Sequence, residues 1–295
     1  MKTVTIFTPT YNRAHLLTRL YNSLLNQTNQ DFVWLIIDDG STDNTKSLVE
    51  DWQSEKRIEI LYHFKQNGGM HTGHNKAYEL INTELNVCID SDDYMPNDAI
   101  AKIVTFWNTT VDKDKIAGIV GLDATENGDV IGTKIPEYLK KGSLSDLYRK
   151  HHVTGDKKVV LRTDIVKKYP AYPEYENEKL VPLGILYLII GKDYDFLYSN
   201  NIYCIVEYQE NGSSNTILKQ YRQSPKGFAY SRLIRLKYID DWKINLKDAM
   251  HLVSSTMFMK DWKFLLKSEK KIITLLSIPF GIALNLYIKT RLKDN

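Results

Sequence analysis

VWLIIDDGSTD, residues 33–43, combines an uninterrupted apolar run with a turn and the start of a helix. Its first five residues are bulky and apolar without alternation, which is typical of a strand buried on both faces. Gly40 suits the turn, and Asp43 has the side chain of a helix N-cap. The segment therefore predicts a strand over 33–38 followed by a helix, the repeating unit of a parallel α/β sheet.

The same unit recurs on both sides of this segment. Further apolar strands are predicted at VTIFT (4–8), IEILYHF (58–64), NVCID (86–90) and IAGIVGL (116–122). Most stretches between them have helical spacing, as in the stripe Leu16, Leu17, Leu20, Leu24 and Leu25. We therefore expect a Rossmann-like α/β fold, with a mostly parallel sheet flanked by helices.

Beyond residue 122 the pattern is less regular. NGD at 127–129 predicts a tight hairpin turn, NIYCIVEY at 201–208 predicts a strand, and residues 143–168 carry mixed signals. NGSSN at 211–215 is a break, after which the pattern is helical, amphipathic and basic.

The pattern predicts two domains. The first would cover 1–215, in two parts at about 1–125 and about 126–215, and a basic helical extension would cover 216–295.

The overall charge of +3 conceals an asymmetry. Residues 217–295 hold 16 Lys and Arg against 6 Asp and Glu, whereas 1–216 hold 23 against 30. A basic extension of this kind suits an anionic surface, either a membrane or a nucleic acid.

Polar residues follow three of the predicted strands, as TPTYNR, DDGSTD and DSDD. The carboxyl ends of parallel strands meet at one edge of a sheet, where ligands bind. Asp90 and Asp92, one residue apart at a strand end, can hold one hard divalent cation, Mg²⁺ or Mn²⁺. The alternative is a solvated acidic turn. Asp93, beside them, is either a supporting partner or a helix cap.

Two other loops at this edge carry candidate ligand contacts. The carboxylate of Asp39 can accept the imide N–H of a uracil ring, although the same residues also suit a simple turn. In KQNGGMHTGHNKA (65–77), backbone N–H groups and Lys76 can approach a diphosphate. The loop does not match G-x-G-x-x-G, and His71 and His74 leave a zinc site as the alternative.

These four motifs, TPTYNR, IIDDGSTDNT, NGGMHTGHNKA and CIDSDDYMPND, occur in the order and spacing of family 2 glycosyltransferases with the GT-A fold, which the chain resembles over about residues 3 to 125. The resemblance implies inverting transfer of a sugar from a nucleotide diphosphate donor with Mn²⁺ or Mg²⁺. It also implies that 1–215 is the catalytic domain, with its nucleotide-sugar-binding part at about 1–125 and its acceptor part at about 126–215. By position it implies a nucleotide-sugar site of Thr8, Pro9, Thr10, Tyr11, Arg13, Asp39, Asn67, Gly68, Gly69, Lys76, Asp90 and Ser91, with Asp90 and Asp92 on the metal.

The family also implies a general base downstream, which takes the proton of the acceptor hydroxyl. YPEYENEKLVP (172–182) resembles a bacterial subgroup with a Glu-Lys pair here, so Glu178 is our choice. Glu174 and Glu176 are the competing acids, and Lys179 stands where many relatives have Asp. The alternative is an exposed acidic loop.

Two clusters near this loop could contact the acceptor. They are His151, His152, Gly155 and Asp156 in one stretch, and the aromatic residues Tyr169, Tyr172 and Tyr175 in another. Each is also compatible with a plain surface role.

The extension contains 17 uncharged residues, IITLLSIPFGIALNLYI (272–288), bracketed by Lys and Arg. We favour a segment that lies in the membrane interface with lysines on anionic headgroups. The alternatives are a helical hairpin packed on the protein and a single spanning helix, which Pro279 and Gly281 disfavour.

The sequence thus predicts a metal-dependent transferase, peripheral on the cytoplasmic face of a membrane, that moves a sugar from a UDP-sugar to a glycan or lipid-linked acceptor in bacterial surface polysaccharide synthesis. The N-terminus shows no signal peptide, and Cys88 and Cys204 read as buried thiols of a reducing compartment. A sugar-nucleotide nucleotidyltransferase is the enzymatic alternative, but its first loop would be glycine-rich and basic. We expect no nucleic-acid partner, because the basic residues form no recognised nucleic-acid motif.

Overall fold

The computed structural model describes residues 2–207 and 216–292. These residues form two compact units. The first contains residues 2–171 and 190–207, and the second contains 172–189 and 216–292. The break predicted at 211–215 and the last residue of the strand predicted at 201–208 lie outside the described residues.

The unit boundary differs from the expected one near residue 215. Residues 172–189 group with the C-terminal helices, because the carboxylate of Glu178 accepts hydrogen bonds from the backbone N–H groups of Lys226 and Gly227. Such long-range contacts are not visible in local sequence patterns.

The first unit contains most of the regular structure. Its strands are β1 Val4–Thr10, β2 Phe32–Asp38, β3 Ile60–Phe64, β4 Leu85–Cys88, β5 Ile116–Ala124, β6 Lys141–Gly142, β7 Lys157–Arg162 and β8 Asp195–Ile205. Its helices are α1 Ala14–Leu25, α2 Thr45–Glu55, α3 Met70–Leu80, α4 Ala99–Asn108, α5 Leu144–Arg149 and α6 Thr163–Val166.

The second unit is helical. After α7 Gly184–Ile190, which ends at the boundary of the units, its elements are α8 Ile217–Gln223, α9 Pro225–Tyr238, α10 Trp242–Met259, a 3-10 helix Trp262–Lys267, α11 Lys271–Leu276 and α12 Ile278–Arg291.

The described strands form one sheet in the order β3-β2-β1-β4-β7-β5-β8-β6. β3, β2, β1 and β4 are parallel to one another, and β5 is parallel to β8. The prediction of a mostly parallel sheet is therefore confirmed. β7 was not predicted, and it runs antiparallel between β4 and β5.

Helices cover both faces of the parallel part of the sheet. Alternate residues such as Ile6 and Trp34 pack in the core that includes the leucines of α1, whereas Phe7, Leu35 and Ile37 pack against α3. Burial on both faces explains why these strands lack the alternation of apolar and polar residues.

The strand register brings the polar loops to one edge. Thr10 pairs with Asp38, and Asp38 pairs with Phe64, so that β1, β2 and β3 end in one row. β4 ends at Cys88, which pairs with Phe7. The loops after β1, β2 and β4 consequently leave the sheet on the same side, as the sequence predicts.

Candidate active site

Asn12 and Arg13, which follow β1, connect three loops of the first unit. The Asn12 side-chain carbonyl accepts a hydrogen bond from Thr42 N at 2.7 Å, and the backbone N–H of Asn12 donates to Ser41 at 2.9 Å. The next residue, Arg13, contacts Ser91 and Asp92, each at 3.2 Å from its Nη1 atom. The loop after β1 is thereby bound to the loop after β2 and to the loop after β4.

The predicted nucleotide contacts of the first loop differ in accessibility. β1 continues through Thr10, so Thr8, Pro9 and Thr10 are strand residues rather than loop residues, and all three are buried. The hydroxyl of Thr8 accepts a hydrogen bond from Trp34 Nε1 at 3.0 Å. Tyr11, by contrast, is 46% exposed, so its ring is open to a ligand.

Asp39 is buried and binds the glycine-rich loop. Its Oδ1 accepts from Lys65 Nζ at 2.6 Å and Gly68 N at 2.9 Å, and its Oδ2 accepts from Gly69 N at 2.7 Å. Since a carboxylate oxygen has two acceptor positions, one position remains, on Oδ2. The side chain of Asn67 also donates to the backbone carbonyl of Asp39 at 2.8 Å. Sequence analysis missed Lys65.

The glycine-rich loop is shorter than expected, because α3 already begins at Met70. Gly69 has φ +92°, a left-handed conformation that favours glycine. Lys76, predicted near the diphosphate, forms an ion pair with Glu79 at 2.5 Å.

The two histidines of α3 point into the protein. His71 and His74 are buried, and the His74 ring packs edge-on against Phe7 with centroids 4.9 Å apart. Burial, with a smaller contribution from His71, lowers the pKa of His74 to about 3. No group of three metal-ligating side chains occurs among residues 2–207 and 216–292, so the zinc alternative lacks a ligand set.

The paired carboxylates follow β4. Asp90 is partly exposed, with its Oδ1 3.7 Å from Cys88 Sγ, and Asp92 is partly exposed beside Arg13. Ser91, between them, is buried and accepts the hydrogen bond from Arg13. The two carboxylates are thus accessible on either side of a buried residue.

Asp93 turns inward. Its Oδ1 accepts a hydrogen bond from Glu207 N at 3.2 Å, and its Oδ2 lies 3.6 Å from Cys204 Sγ. Burial raises the pKa of Asp93 to about 7, partly offset by Lys158. α4 begins only at Ala99, so Asp93 does not cap it and the helix-cap alternative is wrong.

Lys158, on β7, is the nearly buried cation behind these acids, with its side chain 13% exposed. Its Nζ lies 3.9 Å from Asp123 Oδ1 and 4.0 Å from Asp93 Oδ2. Burial disfavours its charge, but the neighbouring carboxylates outweigh burial and the pKa of Lys158 is raised well above its usual value. Sequence analysis missed Lys158, because its antiparallel strand was not predicted.

The donor set at Asp90 and Asp92 fits a hard divalent cation. Mg²⁺ is usually held by one or two carboxylates and completes its coordination with waters and substrate phosphates, so it needs no third protein ligand. Mn²⁺ prefers the same oxygen donors. Both carboxylates are partly exposed, so such an ion could reach them.

Glu178, the predicted general base, lies in the second unit. Its two carboxylate oxygens accept from Lys226 N and Gly227 N, both at 3.0 Å, at the N-terminus of α9. Gly227 has no room for a side chain, since a Cβ there would lie 2.0 Å from the carbonyl oxygen of Leu180. Each oxygen of Glu178 keeps one acceptor position. Glu174, Glu176 and Lys179 are exposed.

The residues of the two candidate acceptor clusters form hydrogen bonds within the protein. Residues 151–156 form a turn, in which Gly155 has φ +76° and Thr154 O accepts a hydrogen bond from Thr133 N at 3.1 Å. Tyr169 donates to Asp193 at 2.7 Å, and Tyr172 is buried and donates to Leu183 O at 2.8 Å.

Two smaller predictions have clear outcomes. The turn at 127–129 is confirmed, with Gly128 at φ +83° and a bridge between Ala124 and Val130. Cys88 and Cys204 are free thiols; Cys204 is buried, as predicted, whereas Cys88 is only partly buried.

The segment 272–288 divides into α11 and α12. In the part of the chain that the structure describes, no helix combines the length and apolarity needed to cross a membrane.

The mostly parallel sheet, with polar loops at the carboxyl ends of its strands, agrees with the GT-A architecture that the sequence predicts. Residues 5–169 match the family described as Glycosyl transferase family 2, and this match covers more than half of the chain. The chain belongs to that family.

Comparison with known proteins agrees with this assignment. The putative teichuronic acid biosynthesis glycosyltransferase TuaG of Bacillus subtilis is 30% identical over 104 residues, which are 35% of this chain and 41% of TuaG. This chain thus matches less than half the length of that relative.

Two solved structures share the fold. TarS 1–349 of S. aureus in complex with UDP-GlcNAc has a TM-score of 0.62 at 18% identity, covering 96% of this chain and 81% of that one. The mannosyltransferase PcManGT of Pyrobaculum calidifontis, in complex with GDP-Man and Mn²⁺, has a TM-score of 0.57 at 15% identity, covering 97% and 82%. The GT-A prediction is confirmed.

Proposed function

We propose that this chain is a metal-dependent, inverting glycosyltransferase that moves a sugar from a UDP-sugar to a hydroxyl of a glycan or lipid-linked glycan, in the synthesis of a bacterial surface polysaccharide. The observation that carries the proposal is the joining of three loops by Asn12 and Arg13, which groups the loop of Asp39 with Asp90, Ser91 and Asp92. The name of TuaG, a putative teichuronic acid biosynthesis glycosyltransferase, supports the acceptor class.

The uridine would bind between the first two loops. Tyr11 offers an exposed ring, and Asp39 has one acceptor position left for the imide N–H. Because three donors hold the Asp39 carboxylate, its orientation is fixed before the nucleotide arrives. The UDP-GlcNAc bound to TarS supports a uridine donor.

The diphosphate would lie near Asp90 and Asp92. A divalent cation on these two carboxylates would offset the negative charge that develops on the leaving diphosphate. Arg13 forms an ion pair with Asp92, and the ammonium group of Lys158 compensates the charge of Asp93 and Asp123. The Mn²⁺ in the PcManGT complex supports such an ion.

Transfer with inversion requires one base and one displacement. The acceptor oxygen would form a bond to the anomeric carbon as the bond from that carbon to the diphosphate oxygen breaks, with the acceptor proton passing to the Glu178 carboxylate. Glu178 has an open acceptor position on each oxygen for this purpose, and its bonds to Lys226 N and Gly227 N fix its orientation.

We place the reaction at the inner face of the cell membrane, where lipid-linked acceptors are available. The basic C-terminal helices would attach the enzyme peripherally.

Calorimetric titration tests the proposal. UDP, GDP and CDP are titrated into the protein with and without Mn²⁺. We expect metal-dependent binding that favours UDP. Binding of none of the three nucleotides in the presence of metal would reject the proposal, and a preference for GDP would reject the uridine donor. Transfer with retention at the anomeric carbon, followed by NMR, would reject the single displacement.

A further inference from the structure

The two helices α11 and α12 expose large apolar side chains and bury small or polar ones, which is the reverse of the usual arrangement in a water-soluble protein. α12 buries Gly281, Asn285 and Ile288, whereas Phe280, Leu286 and Tyr287 are each more than half exposed. A helix on the surface of a soluble domain normally turns its large apolar side chains to the core and its polar ones to water. Here two of the three buried residues are small or polar.

The buried side of α12 is closely packed, so the exposed residues are not the result of a loose helix. A Cβ on Gly281 would lie 2.4 Å from Val253 Cβ and 2.7 Å from Met250 O, so α12 approaches α10 as closely as glycine permits. The side chain of Asn285 donates to Ser254 O at 3.1 Å. Small residues and interhelical amide bonds are the usual contacts between helices in lipid, where the large apolar side chains face outward.

α11 shows the same inversion. Thr274 is buried, with its hydroxyl 2.8 Å from that of Ser268, and Ser277 is fully buried. Ile272, Leu275 and Leu276, in contrast, are more than 60% exposed. Two consecutive helices thus present large apolar residues outward and bury small or polar ones.

The positive charge of α11 and α12 indicates which type of surface they would contact. Residues 271–292 contain no Asp or Glu, and Lys271, Lys289 and Arg291 flank the apolar residues. Exposed apolar residues next to basic ones fit an interface of apolar chains and anionic headgroups, as on an amphipathic segment that lies in the plane of a bilayer.

We infer that Ile272, Leu275, Leu276, Phe280, Leu286 and Tyr287 form a lipid-binding face, which inserts into the headgroup region of an anionic bilayer while Lys271, Lys289 and Arg291 contact lipid phosphates. This inference deepens the membrane attachment within the proposed function by naming its residues and its lipid class. The face inserts without crossing, as its division into two short helices allows.

Co-sedimentation with vesicles tests the inference on the full chain. Phosphatidylcholine vesicles are compared with vesicles that also contain phosphatidylglycerol. We expect binding to the anionic vesicles, lowered about tenfold or more by Leu275→Ser with Phe280→Ser and Leu286→Ser. Lys289→Gln with Arg291→Gln lowers binding to the anionic vesicles alone, by about fivefold for each residue.

Val111→Ser with Tyr138→Ser is the matched control, because it also removes exposed apolar side chains, outside α11 and α12. It is expected to bind vesicles as the parent does. Equal binding of the serine variants and the parent would overturn the inference. A self-association that the serine variants abolish, with no vesicle binding by the parent, would overturn it in favour of a second copy of the chain as the occupant.

UDP titration of the same variants separates this inference from the proposed function. Loss of vesicle binding with unchanged UDP affinity supports the face and shows that the variants fold. Vesicle binding without any nucleotide binding would leave the lipid-binding face standing while rejecting the transferase.

Discussion

The Nζ atom of Lys158 lies 4.0 Å from Oδ2 of Asp93, the residue that directly follows the paired carboxylates Asp90 and Asp92. Asp93 is buried, the side chain of Lys158 is only 13% exposed, and the same ammonium group lies 3.9 Å from Asp123. The acidic turn after β4 therefore has a cation of its own on the inner side, separate from any ion on the outer side.

Replacing this cation is expected to destabilise the protein. Lys158→Met leaves Asp93 and Asp123 buried without a counter-charge, which costs about 3–5 kcal/mol in the free energy of unfolding. Urea denaturation measures the loss. Lys102→Met is the control, since its pair with Asp98 is exposed and is worth about 0–1 kcal/mol. Equal losses for the two variants would show that the buried charge of Lys158 stabilises nothing.

Asp39→Asn is expected to loosen the glycine-rich loop. The amide nitrogen of Asn cannot accept, so one of the donors Lys65, Gly68 or Gly69 loses its partner. We expect UDP affinity to fall about 10- to 100-fold and the amide protons of Gly68 and Gly69 to exchange faster. Asp51→Asn, on the exposed side of α2, serves as the control. Unchanged exchange in Asp39→Asn would contradict the assignment of its carboxylate to the loop.

Asp92→Ala tests the cation site separately from the nucleotide site. Loss of one of two carboxylates is expected to remove most of the gain in UDP affinity that Mn²⁺ provides, while UDP binding without metal changes little. Calorimetry with and without Mn²⁺ measures this gain. Asp114→Ala, an exposed acid outside the loop, should retain the full gain. The same gain in both variants would move the cation away from Asp92.

Glu178→Gln separates the two tasks of this side chain. Glutamine keeps one oxygen for the N-terminus of α9, so the free energy of unfolding should fall by only about 1 kcal/mol. UDP binding is expected to persist, whereas turnover, measured as UDP released from the sugar donor, falls about 10²- to 10⁴-fold because no base remains. Glu176→Gln, on the exposed neighbour, should retain turnover. Near-normal turnover in Glu178→Gln would assign the base elsewhere.

The buried His74 predicts a dependence of stability on pH. Burial lowers its pKa to about 3, whereas the unfolded chain has a value of about 6.5, so below pH 6.5 only the unfolded state takes up the proton. Stability is therefore lost as the pH falls, by about 2 kcal/mol between pH 7.5 and 5 for this one group.

His74→Asn should remove that part of the pH dependence. Urea unfolding of the variant and the parent at both pH values gives the difference, in which the contributions of other groups cancel. Parallel pH profiles for the two proteins would mean that His74 is protonated in the folded state.

Local sequence patterns were sufficient to predict the parallel half of the sheet and the loops at its edge. β1, β2, β3 and β4 are continuous apolar runs, and their polar ends share one edge because parallel strands must. The direction of β7 escaped prediction, since KKVVLR is compatible with either direction and its neighbours are distant in sequence.

The partners of the predicted site residues also lay beyond local pattern. The turn around Asp39 is readable, but its bonds to Gly68 and Gly69 join residues about 30 positions apart. The inversion of α12 was likewise hidden, because a count of apolar residues does not tell which side faces α10.

The hydrogen bond that Asn12 accepts from Thr42 connects two parts of the proposed site. Asn12 holds the loop that follows Asp39, and Arg13, the next residue, holds Ser91 and Asp92. Two adjacent residues therefore couple the place where a base would be recognised to the place where a phosphate would be neutralised. A displacement of the loop after Asp39 would therefore be passed through Asn12 and Arg13 to the carboxylate of Asp92.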